Sequence, residues 1–291
     1  MAGELILVST PIGNLGDFST RAEEVLRSAN AIACEDTRHT MKLLSAKGIT
    51  GKRLLAVHDH NESVAAPGIV ALIERGERIA LVTDAGTPAI SDPGEKVVAA
   101  VIAAGFTVSA IPGPTAFVMA LSISGLSTNK FVFEGFLPPK GSSRRTAISA
   151  LANEPRTVIL YEAPHRMATL LDALLEACGP ERRVVLAREL TKRFEQVLRG
   201  TLEEVRQNLG DPLGEYVVVL EGAPSAPQGN PLLDEPDVLR SRVSQLRSEG
   251  LSLKAAAAAV AHQHGLGTKQ VYDLVVSHRD QPMSGQNITE L

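Results

Sequence analysis

The sequence contains no tryptophan, and aromatic residues make up only 3% of its 291 positions. A surface that holds single-stranded nucleic acid by stacking one base after another on aromatic rings is therefore not visible in it. Cysteine is almost as scarce. Cys34 and Cys178 stand alone, and no C-x-x-C occurs. That excludes a zinc ribbon or a thioredoxin-type redox site and leaves two reduced core thiols. No apolar run approaches the ~18 residues of a membrane span. The start, Met1-Ala2-Gly3-Glu4, lacks a basic n-region, so no secretory signal and a cytoplasmic location are expected. Charge of one sign is also missing: 29 Lys and Arg face 33 Asp and Glu, a formal net charge of −4. A chain that coats nucleic acid by bulk charge is excluded, although a local basic groove is not. No G-x-G-x-x-G follows the first apolar run, and G-x-x-x-x-G-K-[ST], H-E-x-x-H and G-x-S-x-G do not occur. The P-loop reading fails with them, the dinucleotide reading is weakened, and the absences argue against a zincin or an α/β-hydrolase.

What is present is an alternation. Residues 5–8, 31–34, 54–57, 79–82 and 108–111 are short β-rich apolar runs, and helical patterns lie over 20–29, 38–46, 62–75 and 94–104. This predicts an α/β domain with a largely parallel sheet over 1–128. The pattern restarts near Asn129. Strands are predicted at 131–133, 157–161, 184–187, 196–198 and 216–220, and helices at 143–151, 164–177 and 202–208. The hairpin-like spacing of this second α/β domain, 129–222, suggests a mixed sheet. Residues 223–232, rich in Pro, Gly and Ser, read as a linker. A helical, helix-turn-helix-like module follows at 233–280, with helices at 236–248, 252–264 and 269–278 and with Ser252 and Thr268 as N-caps. The end of the chain, 281–291, reads as a disordered tail.

In open α/β sheets, ligands bind beyond the carboxyl ends of the strands. Here those ends are polar or glycine-rich: 9–17, 35–38, 58–62, 83–94 and 112–116, then Glu134, 161–166 and 188–192. Any one of these loops taken alone is a capped turn; eight together describe a shared cleft. The 84–94 loop is suited to close backbone approach, because Gly86 and Gly94 permit unusual dihedrals while Pro88 and Pro93 stiffen it. It carries acid rather than lysine, which does not suit a polyphosphate. His58 and His60 sit two apart with no third ligand of matching spacing, so no metal site is expected.

The segments T-P-I-G-N-L-G-D (10–17), E-D-T-R (35–38), H-N-E (60–62), D-A-G-T-P-A-I-S-D-P-G (84–94), P-G-P-T-A (112–116), G-F-L-P (135–138) and Y-E-A-P-H-R (161–166) resemble the tetrapyrrole methylase superfamily. Within it they are similar to the branch that 2′-O-methylates a cytidine ribose in the decoding region of 16S ribosomal RNA. The resemblance covers 4–222, and the helical module also resembles that branch's C-terminal extension. It implies two α/β domains with S-adenosylmethionine in the cleft between them, a small-ribosomal-subunit substrate and a homodimer. By motif position it implies cofactor contacts at Pro11, Asp84, Ala85, Gly86, Ile90, Thr115 and Ala116, and through backbone groups at Glu162 and Leu190. The first loop is less glycine-rich than in the tetrapyrrole-specific branch, and the fourth-strand loop does not read G-G-D-P. C-methylation of a tetrapyrrole-like small molecule is therefore the second enzymatic reading, and a non-catalytic ribosome-associated RNA-binding factor the third.

Methyl transfer from a sulfonium is an in-line displacement, so alignment supplies much of the rate. A ribose hydroxyl must also lose its proton. Glu134, His58, Glu62, His165 and Lys192 stand at strand ends as unranked candidates for a base or a nearby cation. Lys140, Arg144 and Arg145, after the G-F-L-P loop, are the expected RNA phosphate contacts.

Overall fold

The computed structural model describes residues 3–224, 236–264 and 266–276. Most of the expected linker and all of the expected tail lie outside the described residues. The chain forms two compact units that divide between Ala223 and Pro224.

The first unit holds two sheets. In the first, β1 (Glu4–Val8), β2 (Ala31–Cys34), β3 (Arg53–Ala56), β4 (Arg78–Val82) and β5 (Thr107–Ile111) lie in the order β3-β2-β4-β1-β5. Every neighbouring pair is parallel. Strand alternation splits the apolar residues between two layers. Ile6, Val8, Ile32 and Val82 pack with Leu26 of α1 (Thr20–Ser28) and Leu44 of α2 (Thr37–Ala46). Leu5, Ala33, Ile79 and Leu81 pack with Ile69 and Ile73 of α3 (Glu62–Glu74) and Val97 and Val101 of α4 (Glu95–Ala103). Ser19 caps α1 by accepting from the Ala22 amide at 3.2 Å, and Asp36 caps α2 by accepting from the Arg38 amide at 2.7 Å.

A fifth helix, α5 (Ala116–Ser124), follows, where sequence reading expects no helix. Its sequence AFVMALSIS is apolar on nearly every side, so it carries no 3.6-residue periodicity to detect. It does not cover the first sheet. Ala120 and Leu121 are buried with Ile159, Val217 and Val219 of the second.

That second sheet contains β6 (Phe131–Phe136), β7 (Thr157–Glu162), β8 (Arg183–Arg188), β9 (Gln196–Thr201) and β10 (Tyr216–Leu220), in the order β6-β7-β10-β8-β9. β6 and β7 are parallel, and all other pairs are antiparallel. The sheet is mixed, as the hairpin spacing suggests. One face packs on α6 (Gly141–Leu151), α7 (Pro164–Cys178) and α8 (Leu202–Gln207) through Leu151, Leu170, Leu174 and Val205. The other carries α5.

The second unit is helical: α9 (Pro236–Ser248), α10 (Leu253–His264) and α11 (Thr268–Val276) around Leu239, Val243, Ala257, Val260 and Val271. Ser252 caps α10 by accepting from the Ala255 amide at 3.3 Å. Thr268 is not the cap of α11. It begins the helix, and the Gly267 amide donates instead to Gln270 Oε1 at 3.0 Å. No described helix is long and apolar enough to cross a membrane.

Candidate active site

The loops after β1, β4 and β5 are tied together. The backbone groups of Thr10 and Gly86 exchange hydrogen bonds of 2.8 and 3.1 Å. Gly86 has φ +88°, which a side chain would strain. Thr87 Oγ1 lies 2.7 Å from Thr115 Oγ1 and 3.0 Å from Ser9 Oγ, joining all three loops through hydroxyls.

Across from them, the chain between β8 and β9 closes against the first loop. Gly13 lies so near Lys192 and Thr191 that a Cβ there would come within 2.4 Å of Lys192 Cγ. Between these loops is a cavity of about 360 Å³. Its first wall is Ile12, Ala85, Gly86, Thr87, Ile90, Ser91, Asp92, Thr115 and Ala116. Its second is Phe136, Tyr161, Glu162, Ala163, Pro164, Ala187, Leu190 and the stretch Gly214, Glu215, Tyr216 and Val217.

Among the described residues, four non-glycine residues have positive φ: Ala89, Ser91, Glu189 and Thr191. They flank Ile90 and Leu190, one apolar residue in each wall. Each such conformation costs on the order of 1–3 kcal/mol and persists only where its surroundings impose it.

Asp92 lines the cavity, and its acidity departs strongly from the ordinary aspartate range. Burial first, then the charge of Glu35, pushes it up to about 7, and a hydrogen bond with Thr83 offsets only part of this. Tyr161 remains a neutral phenol, pushed up to about 12 by burial, and its oxygen accepts from the Phe117 amide at 3.3 Å.

Of the nine residues expected at the cofactor, Ala85, Gly86, Ile90, Thr115, Ala116, Glu162 and Leu190 line this cavity, while Pro11 and Asp84 are outside the lining, each next in the chain to a lining residue, Ile12 or Ala85. Asp84 instead accepts from the Asp36 amide at 3.2 Å. The Glu162 side chain is turned to the helical face of its sheet and fully buried. It accepts from Arg144 Nη2 at 2.8 Å, is paired with Arg166, and takes the Ala163 amide at 2.9 Å.

Arg144 is therefore corrected as a phosphate contact. It is buried, and its other nitrogen donates to the Pro138 carbonyl at 3.1 Å. Lys140 and Arg145 are exposed. Glu62 is corrected too. Its Oε1 accepts from the Gly94 and Lys96 amides at 2.9 and 2.6 Å, which makes it the buried cap of α4 rather than a base.

His58 follows β3, the edge strand farthest from β5, and does not line the cavity. Glu134 and His165 are exposed outside its lining. Lys192 also lies outside the lining. Burial opposes its charge, yet Glu189 Oε1 and Glu215 Oε2, each 2.9 Å from Nζ, hold its pKa up. As an ammonium locked between two carboxylates it is a strut.

Sequence reading did not single out Asp92, Phe136, Tyr161 or the 214–217 stretch. The first three lie inside the segments 84–94, 135–138 and 161–166 that carry the family resemblance. The last straddles the start of β10, the amino end of a strand rather than the carboxyl end where ligand loops are expected. Among the described residues, no group of three or more His, Cys, Asp or Glu side chains is placed to hold a metal.

The sequence profile of the Tetrapyrrole (Corrin/Porphyrin) Methylases matches residues 4–206. Ribosomal RNA small subunit methyltransferase I of Xylella fastidiosa is 46% identical over 274 residues, covering 93% of this chain and 98% of that protein. The protein of the same name from Synechocystis sp. is 45% identical over 274 residues, covering 94% and 97%. Uroporphyrin-III C-methyltransferase of Thermus thermophilus shares the fold with a TM-score of 0.52, at 24% identity over 75% of this chain and 94% of that one.

Proposed function

This chain belongs to the tetrapyrrole methylase family, and from that premise we propose that it transfers a methyl group to the ribose 2′-hydroxyl of a cytidine in the decoding region of 16S ribosomal RNA, within the small subunit and in the cytoplasm. The observation that carries this reading is the 46% identity to a small-subunit ribosomal RNA methyltransferase over 93% of the chain.

The methyl donor is S-adenosylmethionine, which supplies an electrophilic methyl on a sulfonium. The cavity fits such a group. Its β8–β10 end, at Ala187, Leu190, Tyr216 and Val217, offers apolar contact and strand backbone for a flat heterocycle. Its other end holds the carboxyl of Asp92, which complements a cation. Ala85, Gly86, Thr115 and Ala116 present backbone groups and small side chains between the two ends.

Asp92, poised near pH 7 by burial and neighbouring carboxylates, is the group we assign to take the hydroxyl proton. Lys140 and Arg145 hold phosphates at the rim. Val118, Met119 and Ile123 on α5, with Phe131 on β6, are exposed apolar side chains. They are the face we assign to a homodimer, and sedimentation is expected to give twice the chain mass.

Labelled cofactor offered with unmethylated small-subunit particles, bare RNA and a porphyrinoid tests the function. Label is expected in the RNA of the particle. Label in the porphyrinoid alone supports C-methylation, and label in neither supports a binding factor.

A further inference from the structure

Four aromatic rings form a continuous run into the cavity mouth. Phe117 and Phe133 stack with centroids 4.3 Å apart, Phe133 meets Tyr161 edge-on at 5.0 Å, and Tyr161 meets Phe136 at 5.5 Å. The first three are part-buried, whereas Phe136 is 55% exposed although it lines the cavity. Its position depends on an irregularity. A regular strand would send residues 133 and 136 to opposite faces. The register of β6 against β7 shifts between Phe133 and Gly135, where Gly135 has φ +61°, and this turns Phe136 to the face of its partner Tyr161. Bulges of this kind recur beside functional sites, where they re-aim one side chain.

The cavity runs across β6, β7, β10 and β8, roughly 14 Å at the usual strand spacing. At its β8–β10 end the floor is buried, with Leu190 8% exposed and Val217 5%, while Gly214 and Glu215 are exposed at the rim. Its β6 end is open, framed by Phe136, by Ile90 at 40% exposure, and by Ser91 and Asp92. Beyond Phe136 the chain passes directly to the exposed Lys140 and Arg145. An open apolar ring beside a carboxyl, followed by cations, matches an unpaired nucleotide: a flat base, a ribose and an anionic phosphate. Protein recognition of single-stranded RNA places unstacked bases on such rings.

We propose that Phe136 is the platform on which the base of the methyl-accepting nucleotide stacks, so that the substrate is an unpaired nucleotide turned out of its helix; this rests on the RNA reading above. Phe136 is a positioning residue. It holds the base, and the ribose then lies toward the loop that carries Asp92. The adenine of the cofactor is the competing occupant, and the buried floor at Leu190 and Val217 suits it better.

The test uses the full chain carrying Phe136→Ala, Phe136→Leu or Phe136→Trp, with unmethylated small-subunit particles as substrate. Ala and Leu are expected to raise KM for the particle about 5- to 100-fold, the range of one lost base-stacking contact, while Trp keeps it near the wild-type value. Cofactor affinity by calorimetry, the circular dichroism melt and the sedimentation mass are expected to stay unchanged in all three. An unaltered KM in the Ala variant overturns the proposal. A parallel loss of cofactor affinity assigns the ring to the adenine, and a changed mass assigns it to a contact between copies; either also overturns it. A wild-type protein that leaves the particle unmethylated removes the RNA reading itself, which is a different failure.

Discussion

Asp92 holds its proton to about pH 7 in the folded protein, whereas an unfolded aspartate loses it near 3.8. Because the folded-state value is raised, the folded chain binds the extra proton between these limits. The associated stability is complete below pH 3.8 and is lost as the pH rises through 7. A cation bound beside the carboxyl reverses the preference and favours the ionised form. Cofactor affinity is therefore expected to rise by up to about tenfold from pH 6 to pH 8. Asp92→Asn should flatten both trends and slow methyl transfer; calorimetry and denaturant melts at the two pH values measure them. At Gly86 the constraint is backbone rather than charge. A β-branched residue there meets φ +88°, with Ile12 Cγ2 3.5 Å from the new Cβ. Gly86→Val should abolish cofactor binding while the circular dichroism spectrum stays native. A calorimetric titration with wild-type affinity in the folded variant would contradict the assignment of this loop.

Three basic residues that look alike in sequence divide at the level of the element. Lys140 precedes α6 and Arg145 lies on its exposed face, whereas Arg144 is turned inward onto the buried Glu162. Arg144→Ala should lower stability by about 3–5 kcal/mol, because Glu162 loses a partner in a buried network. The pair Lys140→Glu and Arg145→Glu should leave the melt unchanged, raise KM for the ribosomal particle and reduce its salt dependence. Urea melts and kinetics at two salt concentrations separate the two outcomes. The same inward-or-outward ambiguity explains what the sequence could reveal. Strands such as 31–34 were legible because they are short, apolar and bounded by turns, and α1 and α2 because Ser19 and Asp36 cap periodic runs. α5 was not, since a helix covered by another sheet needs no polar stripe. The 214–217 wall was missed for a topological reason. β10 runs antiparallel to β7 and β8, so its first residues, not its last, reach the rim where the parallel strands end. Glu62 failed as a base because a carboxylate at a strand end serves equally well to cap a neighbouring helix.

At the scale of the whole molecule, the helical unit Pro236–Val276 carries its own core and can be removed without cutting a strand. Ending the chain at Ala223 keeps the hydrogen bond from the Ala223 amide to the Glu154 carbonyl at 2.6 Å. The shortened protein should bind cofactor as the full chain does and methylate the ribosomal particle far more slowly. Methylation at the full rate rules out a recognition role for the helical unit, and loss of the cofactor makes it a structural support. A different consequence follows from α5. The helix is made directly after the first sheet, yet the strands that cover Ala120 and Leu121 come later: β7 about forty residues on, and β10 about a hundred, some 5–20 seconds at usual rates of synthesis. Until β10 is made, the nascent chain carries an apolar helix whose cover is incomplete. The first half can pair its strands as it emerges from the ribosome but cannot become a finished, non-sticky body. Shelter by the exit tunnel or by a chaperone is thus built into the order in which this fold is read out.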